Sequence, residues 1–118
     1  MPQDAIYKIS PRQLWREARA RGDFVGSADD LRDGYIHMSA AGQVTGTLAR
    51  HFAGQKDLIL AVVDPALLGD TLRWESSRGG LLFPHIYGPL PMAAVTGEYA
   101  VTLDANGRHV VPKEIVAP

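Results

Sequence analysis

The chain has 118 residues, a length that suits one domain with a single hydrophobic core. Hydrophobic residues account for 46% of it and charged residues for 21%, which is typical of a globular protein and excludes an intrinsically disordered chain. The formal net charge of -1 provides no bulk attraction to nucleic acid, so nucleic acid is not an expected partner. We therefore interpret residues 1–118 as a single domain.

The absence of cysteine excludes disulfides, thiolate metal ligands and cysteine nucleophiles. The first residues lack the basic and apolar segments of a secretory signal, and no apolar run reaches the roughly 18 residues of a membrane-spanning helix. These features predict a cytoplasmic protein without a membrane partner. The oligomeric state is left open.

Apolar patterning and turn residues predict that strands and helices alternate in the first half of the chain. Ser10 is expected to cap the first helix, with Pro11 at its first position and Gly22 at its end. The predicted elements are a strand over 5–9, a helix over 11–22, a turn-rich connection over 24–33, a strand over 35–39 and a helix over 40–52.

The second half of the chain is rich in predicted strands. Residues 57–64 form a continuous apolar run between two aspartates, which predicts burial on both faces and hence a central strand. The other predictions are a turn over 65–69, a strand over 71–77, an extended segment over 83–87, a turn over 92–95, a strand over 98–103, a hairpin turn over 104–107 and a returning segment over 109–111. Early helices and late strands on one sheet system predict an α+β fold.

Polar side chains alternate with core residues on the strand predicted over 35–39. Side chains of a strand point to opposite faces in turn, so Tyr35, His37 and Ser39 are expected on the face opposite the core. A ring, an imidazole and a hydroxyl on one face indicate a cleft, with His37 as the strongest catalytic candidate. The alternative is a partly buried histidine that hydrogen-bonds only to the backbone.

Glu75 is the second catalytic candidate, because it lies on the face of its strand away from Leu72 and Trp74. A carboxylate beside His37 would hold a hydroxyl group or stabilise a developing positive charge. The alternative is an exposed strand glutamate without a chemical role.

Two further groups of residues are candidates for ligand binding. Ser77 and Arg78 precede two glycines whose free amides, with the guanidinium, would suit a phosphate or carboxylate. The alternative there is an ordinary tight turn. His85 and Tyr87 share a face of the extended segment while Ile86 faces the core, which indicates a pocket wall rather than a simple connection.

Other kinds of site find little support in the sequence. A metal site built from His37, His51 and His85 is conceivable, but the spacing of these histidines matches no metal-binding signature, so no metal is expected. A phosphate-binding loop, a nucleophile elbow and a dinucleotide fingerprint are all missing. These absences disfavour the corresponding enzyme classes.

The chain resembles the bacterial family catalogued as domain of unknown function 952. The resemblance covers about 6–95 and leaves a C-terminal strand and hairpin over 98–118. Its most specific segments are DGYIHMSA at 33–40 and FPHIYGPL at 83–90. Weaker support comes from residues 6–9, Trp15, residues 43–44 and residues 74–75.

That family is similar in fold to the ADP-ribosyltransferases, which wrap a split β-sheet around NAD. The resemblance therefore implies an ADP-ribosyltransferase-like split sheet with two early helices, with NAD or a related nucleotide as candidate cofactor. It implies that His37 holds a ribose and that Glu75 stabilises an oxocarbenium-like transition state. The rival function is a non-catalytic module that binds a small ligand or a protein, and a histidine-dependent hydrolase or metalloenzyme is a third class.

Overall fold

The computed structural model describes residues 4–116, apart from the side chains at positions 78, 114 and 116. The helices are α1 (Arg12–Arg21), α2 (Ala28–Asp33), α3 (Val44–His51) and α4 (Lys113–Val116). The strands are β1 (Ile6–Pro11), β2 (Asp23–Phe24), β3 (Ile36–His37), β4 (Ser39–Ala40), β5 (Leu58–Val63), β6 (Leu72–Ser76), β7 (Leu82–Ile86), β8 (Leu90–Pro91), β9 (Val95–Leu103) and β10 (His109–Val110). Single 3-10 turns occupy Ala41–Gln43, Pro65–Leu67, Gly69–Thr71, Arg78–Gly80 and Met92–Ala94.

The strands form three antiparallel sheets. The largest has the order β10-β9-β5-β1-β4, the second pairs β2 with β8, and the third has the order β3-β7-β6. In the largest sheet β5 pairs with β1 on one side and β9 on the other, so the predicted central strand is confirmed. The α+β class is also confirmed, although the strands do not form the one sheet system that was expected.

Hydrophobic residues fill both faces of the largest sheet because successive residues of its strands point to opposite sides. On β5, Leu58 and Leu60 belong to a cluster that packs under α3, whereas Ala61 and Val63 belong to a cluster that packs under α1. The α1 cluster also contains Ile86 of β7, so it joins the largest sheet to the three-stranded one. This junction positions the candidate site.

The predicted cap at Ser10 is wrong, because β1 continues past it. Pairing with β5 runs through Ser10 opposite Ile59 and Pro11 opposite Leu58, and α1 begins at Arg12. Ser10 is buried, and its hydroxyl donates to the carbonyl of Pro11. The ladder of a central strand outweighs the local helix-start preference.

The connection predicted over 24–33 contains a helix, α2, that the sequence analysis missed. The backbone N–H of Asp30 donates to the Ser27 hydroxyl at 3.4 Å, and the N–H of Ser27 donates to a carboxylate oxygen of Asp30 at 2.9 Å. This reciprocal pair is a capping box with aspartate in place of the usual glutamate. Between residue 4 and β5 the structure thus has three α-helices instead of the two that were expected.

The strand predicted over 35–39 is divided between two sheets, although Ile36 and Met38 face the core as expected. His37 of β3 pairs with His85 of β7, whereas Ser39 of β4 pairs with Tyr7 of β1. Met38 lies between them, and its N–H donates to the carbonyl of Pro84. The segment therefore changes sheets within three residues, while Tyr35, His37 and Ser39 all line one pocket.

Leu60 offers a direct test of this packing, since it is fully buried at the centre of β5. Leu60→Ala should lower the free energy of unfolding by about 2–5 kcal/mol, because the cavity persists after the methyl groups are lost. Leu67→Ala removes the same atoms from an exposed side chain and should change the free energy of unfolding by no more than about 0.5 kcal/mol. Denaturant titration of both variants measures the difference, and equal losses would contradict the assigned core.

Candidate functional site

A pocket of about 470 Å³ opens between β1, α2, β3, α3 and β7. We call it the His37 pocket. Five residues of the sequence-based site line it, namely Tyr35, His37, Ser39, Ser77 and His85. Its wall also includes Lys8, Asp30, Asp33 and Arg50, which the sequence analysis did not select.

Two other predicted site residues have different positions, and the side chain of a third is not described. Glu75 and Tyr87 are absent from the pocket wall among the residues that the structure describes, although Glu75 contacts His85 and Tyr87 contacts Tyr35, which both line it. The side chain of Arg78 lies outside the described residues, so its expected contact with phosphate stays a prediction. The backbone at Gly79 and Gly80 has φ of 68° and 78°, the left-handed conformation that glycine adopts readily.

A buried ion pair between Lys8 and Asp30 belongs to the pocket wall. Their side chains are 5% and 2% exposed, and the Lys8 Nζ lies 2.9 Å from Oδ2 of Asp30. The ammonium group also donates to the carbonyl of His37 at 2.9 Å. These bonds compensate part of the desolvation that two buried charges suffer.

The acidity of Asp30 reflects this environment. Burial raises the pKa of its carboxyl, but hydrogen bonds from His37 and the charge of Lys8 outweigh that effect and hold the pKa below its ordinary value. Burial lowers the pKa of Lys8, while the carboxylate of Asp30 opposes that shift. Asp30 is therefore a carboxylate that accepts four hydrogen bonds, from Lys8, from the backbone N–H of Ser27, and from the backbone N–H and ring of His37.

His37 is held between two carboxylates. Its Nδ1 lies 2.6 Å from Oδ1 of Asp30, and its Nε2 lies 3.0 Å from Oδ2 of Asp33. The side chain is 36% exposed, so its outer edge faces the pocket while its inner nitrogen is fixed.

A second histidine–carboxylate pair joins β6 to β7. The Nδ1 of His85 and the hydroxyl of Tyr87 each lie 2.7 Å from the same Oε1 of Glu75. The hydrogen bond from His85, followed by that from Tyr87, lowers the pKa of Glu75, and the carboxylate raises the pKa of the Tyr87 phenol. Glu75 is therefore ionised, and its carboxylate already accepts hydrogen bonds from His85 and Tyr87.

Tyr35 connects the two pairs by ring contacts. Its ring stacks on His85 with centroids 4.1 Å apart, and lies tilted against His37 at 4.7 Å and Tyr87 at 5.3 Å. The rings of His37 and His85 meet edge to face at 5.7 Å. The structure thus brings His37, His85 and Glu75 into one connected constellation.

Strand register explains why these residues meet. His37 lies opposite His85, and His85 lies opposite Arg73, so the three share one face of the β3-β7-β6 sheet. Glu75 lies opposite Phe83, two residues along the same face. The prediction that Glu75 points away from Leu72 and Trp74 agrees with this alternation.

The two serines occupy different surroundings. Ser39 is buried, and its hydroxyl lies 3.0 Å from that of Thr47 on α3. Ser77 is exposed in the hairpin between β6 and β7, where its N–H donates to the carbonyl of Leu81. Ser39 therefore fixes α3 against β4, and Ser77 is the more accessible of the two.

Lys8 and Asp30 are residues of the candidate site that sequence reasoning missed, and both left a signal. Lys8 interrupts an apolar run that was predicted to be a strand, which indicates that Lys8 is itself buried. A buried lysine requires a buried acid as its partner. Asp30 stands three residues after Ser27, the spacing of a capping box. The sequence does not identify Asp30 as the partner of Lys8, because 22 residues separate the two positions.

Neither a metal cluster nor a membrane-spanning helix is found in the described part of the chain. Within residues 4–116, no three histidine or acidic side chains are grouped so as to hold a metal ion, so His37, His51 and His85 form no such site. Every described helix is too short and too polar to cross a bilayer.

The chain is similar to proteins of known structure over most of its length. The family model described as protein of unknown function (DUF952) matches residues 9–98. The crystal structure of CC0527 from Caulobacter crescentus is 47% identical, with a TM-score of 0.89 over 94% of this chain and 97% of that one. The solution structure of CC0527 is 50% identical, with a TM-score of 0.79 over 88% of this chain and 90% of that one. Among curated proteins, none matches the chain.

Asp30→Asn tests the buried pair. The substitution keeps the shape of the side chain but leaves the Lys8 ammonium buried without its counter-charge, which should lower the free energy of unfolding by about 3–5 kcal/mol at neutral pH. Because the pKa of Asp30 is lower in the folded protein than in the unfolded chain, this contribution is present above about pH 4 and is lost as pH falls below it.

Denaturant titration of wild type and variant from neutral pH to pH 2 measures both effects. Asp29→Asn, at an exposed position of the same helix, is the matched control and should stay within about 0.5 kcal/mol of wild type. A difference for Asp30→Asn that does not shrink in acid would contradict the assigned charge state.

Proposed function

The chain belongs to the DUF952 family of proteins of unknown function, and we propose that it binds a small ligand of the nucleotide class in the His37 pocket, with NAD as the candidate. One observation carries the proposal. A partly exposed imidazole is fixed in the pocket wall by a buried carboxylate, with an aromatic ring beside it. Such preorganised polar groups in a concave site are typical of ligand recognition rather than of packing.

The size of the pocket supports this ligand class. Its volume of about 470 Å³ falls within the roughly 300–1,000 Å³ of small-molecule sites. Tyr35 and Phe83 contribute aromatic surface to its wall, and Met38 adds apolar contact. A flat base or nicotinamide ring would pack against such a surface.

His37 and Asp33 supply the polar recognition. The Nε2 of His37 can donate or accept a hydrogen bond, and the carboxylate of Asp33 beside it is an acceptor that is partly exposed. A ribose diol carries both donors and acceptors at neighbouring positions, so it matches this pair. Binding would replace the contact between Nε2 and Asp33 by contacts of each group with the sugar.

Arg50 supplies a positive charge at the same pocket. Its side chain is exposed on the last turn of α3. Among the acidic side chains that the structure describes, which do not include position 114, none forms a salt bridge with it. Arg32, which also lines the pocket, is already paired with Asp29 and Asp33. Arg50 is therefore the better candidate for a phosphate contact.

A transferase or glycohydrolase reaction is the second candidate function. It follows from the resemblance in fold to ADP-ribosyltransferases that the sequence indicates, and Glu75 would stabilise positive charge at the anomeric carbon. The ionised state of Glu75 favours this role, since only a carboxylate provides that stabilisation. Two other features of Glu75 favour ligand binding without catalysis. Glu75 does not line the pocket, and its carboxylate already accepts hydrogen bonds from His85 and Tyr87.

Calorimetry with NAD, ADP-ribose and nicotinamide tests the binding proposal. At least one of these should bind wild type at millimolar concentration or below. His37→Asn keeps a nitrogen that can donate to Asp30 but removes Nε2, so it should weaken binding about tenfold, or about 1.4 kcal/mol, with little change in stability.

His109→Asn is the matched control, since His109 lies on β10 and contacts the backbone of Gln55 away from the pocket. It should bind like wild type. Absence of binding for all three compounds, or equal affinity of His37→Asn and wild type, would contradict the proposal.

NAD turnover separates catalysis from binding. If Glu75 stabilises a developing positive charge, Glu75→Gln should lower the rate of nicotinamide release by about 10²-fold or more. Rates at background level in both proteins would exclude the transferase candidate and leave the binding function intact.

A further inference from the structure

The three-stranded sheet has a free edge. Its order is β3-β7-β6, so β6 is paired with β7 on one side, and no strand of residues 4–116 pairs with its other side. An edge strand of this kind presents a row of backbone donors and acceptors to any second strand that can reach it.

Pro84 shows which backbone groups of β6 point outward. Proline has no N–H, and the carbonyl of Pro84 accepts from Met38, so Pro84 faces away from β6. Its neighbours on β7 therefore bond to β6, and the N–H of Tyr87 accordingly donates to the carbonyl of Thr71. Odd-numbered residues of β6 thus face β7, and the N–H and C=O groups of Leu72, Trp74 and Ser76 face outward.

Exposed apolar side chains flank this edge. Trp74 is 47% exposed and Leu82 is 55% exposed. Trp74 lies opposite Pro84 and Ser76 lies opposite Leu82, so both large side chains project from the same face of the sheet. Monomeric proteins seldom leave a tryptophan on an unpaired edge next to further apolar surface.

The charges of β6 select a partner strand. Arg73 and Glu75 flank Trp74, so an identical strand running antiparallel offers the opposite charge at each position. We propose that two copies of this chain pair through β6, antiparallel, with the two Trp74 residues opposite each other on a twofold axis. Arg73 then lies opposite Glu75 of the partner subunit, and Leu72 lies opposite Ser76 of the partner subunit.

This register is the one that the backbone and the charges allow together. The outward-facing residues must pair with one another, which restricts the alternatives to shifts by two residues. One shift sets Arg73 opposite the partner's Arg73, and the other sets Glu75 opposite the partner's Glu75. Like charges directly opposite destabilise a pair of strands, so both shifts are disfavoured.

The pairing also strengthens the charge contact. Trp74 and its copy form a hydrogen-bonded pair, so Arg73 and Glu75 of the partner subunit form a non-hydrogen-bonded pair, in which side chains approach most closely. Within one subunit, Arg73 lies over the Tyr87 ring, and Glu75 accepts hydrogen bonds from His85 and Tyr87. In the dimer, each subunit therefore places the guanidinium of its Arg73 beside Glu75 of the partner subunit.

Sedimentation equilibrium of the whole chain tests the dimer by a charge exchange. Wild type should have twice the monomer mass at high concentration and dissociate on dilution. Arg73→Glu sets two acids opposite each other at both ends and should raise the dissociation constant about tenfold or more, whereas Arg73→Glu with Glu75→Arg restores opposite charges and should recover most of the loss. A monomer at all concentrations, or a double variant no tighter than the single one, would overturn the proposal.

Cysteine cross-linking tests the register without altering the charges. The natural chain has no cysteine, so Trp74→Cys introduces a single thiol at the twofold axis. Its copies would have Cα atoms about 5.5 Å apart, a distance that a disulfide spans. Leu82→Cys, equally exposed but one strand further from the axis, is the control. Rapid oxidation to a covalent dimer for Trp74→Cys alone is expected, and equal rates for both variants would overturn the register.

Discussion

The buried carboxylate of Asp30 is the constraint on which the candidate site depends. A charge removed from water must be paired and hydrogen-bonded, and Asp30 meets both needs with groups from three elements. Lys8 comes from β1, Ser27 begins α2, and His37 belongs to β3. The same contacts that stabilise the charge also fix the orientation of the His37 ring. Stability and site geometry therefore have a common origin here.

Strand pairing supplies the second half of the site. The register of β3, β7 and β6 aligns His37, His85 and Arg73 on one face and brings Glu75 within reach of His85. Tyr35 then covers His85 and separates it from solvent. His37 is 36% exposed and His85 is 3% exposed, although both line the pocket. The stacking of Tyr35 on His85 accounts for part of this difference.

Predictions from the sequence were correct where neighbouring residues determine the local structure. They failed where contacts with residues distant in sequence determine it. The apolar run of β5 predicted a central strand, and alternation correctly assigned Glu75 to the face opposite Trp74. The Ser10 cap failed because pairing with β5 extends β1. The alternation over 35–39 was predicted correctly, but the change of sheet between His37 and Ser39 was not. The connection over 24–33 concealed α2, whose stability depends on Lys8 and His37 as well as on Ser27. Long-range partners of this kind have no local signature.

The position of bound ligand tests the account most directly. Selective observation of the histidine rings by NMR, during titration with NAD or ADP-ribose, reports on His37 and on the distant His109 in one experiment. We predict that the His37 resonances shift with increasing ligand while those of His109 stay unchanged. Shifts confined to His109, or no shift at either ring under conditions where calorimetry shows binding, would contradict the assignment of the ligand to the His37 pocket.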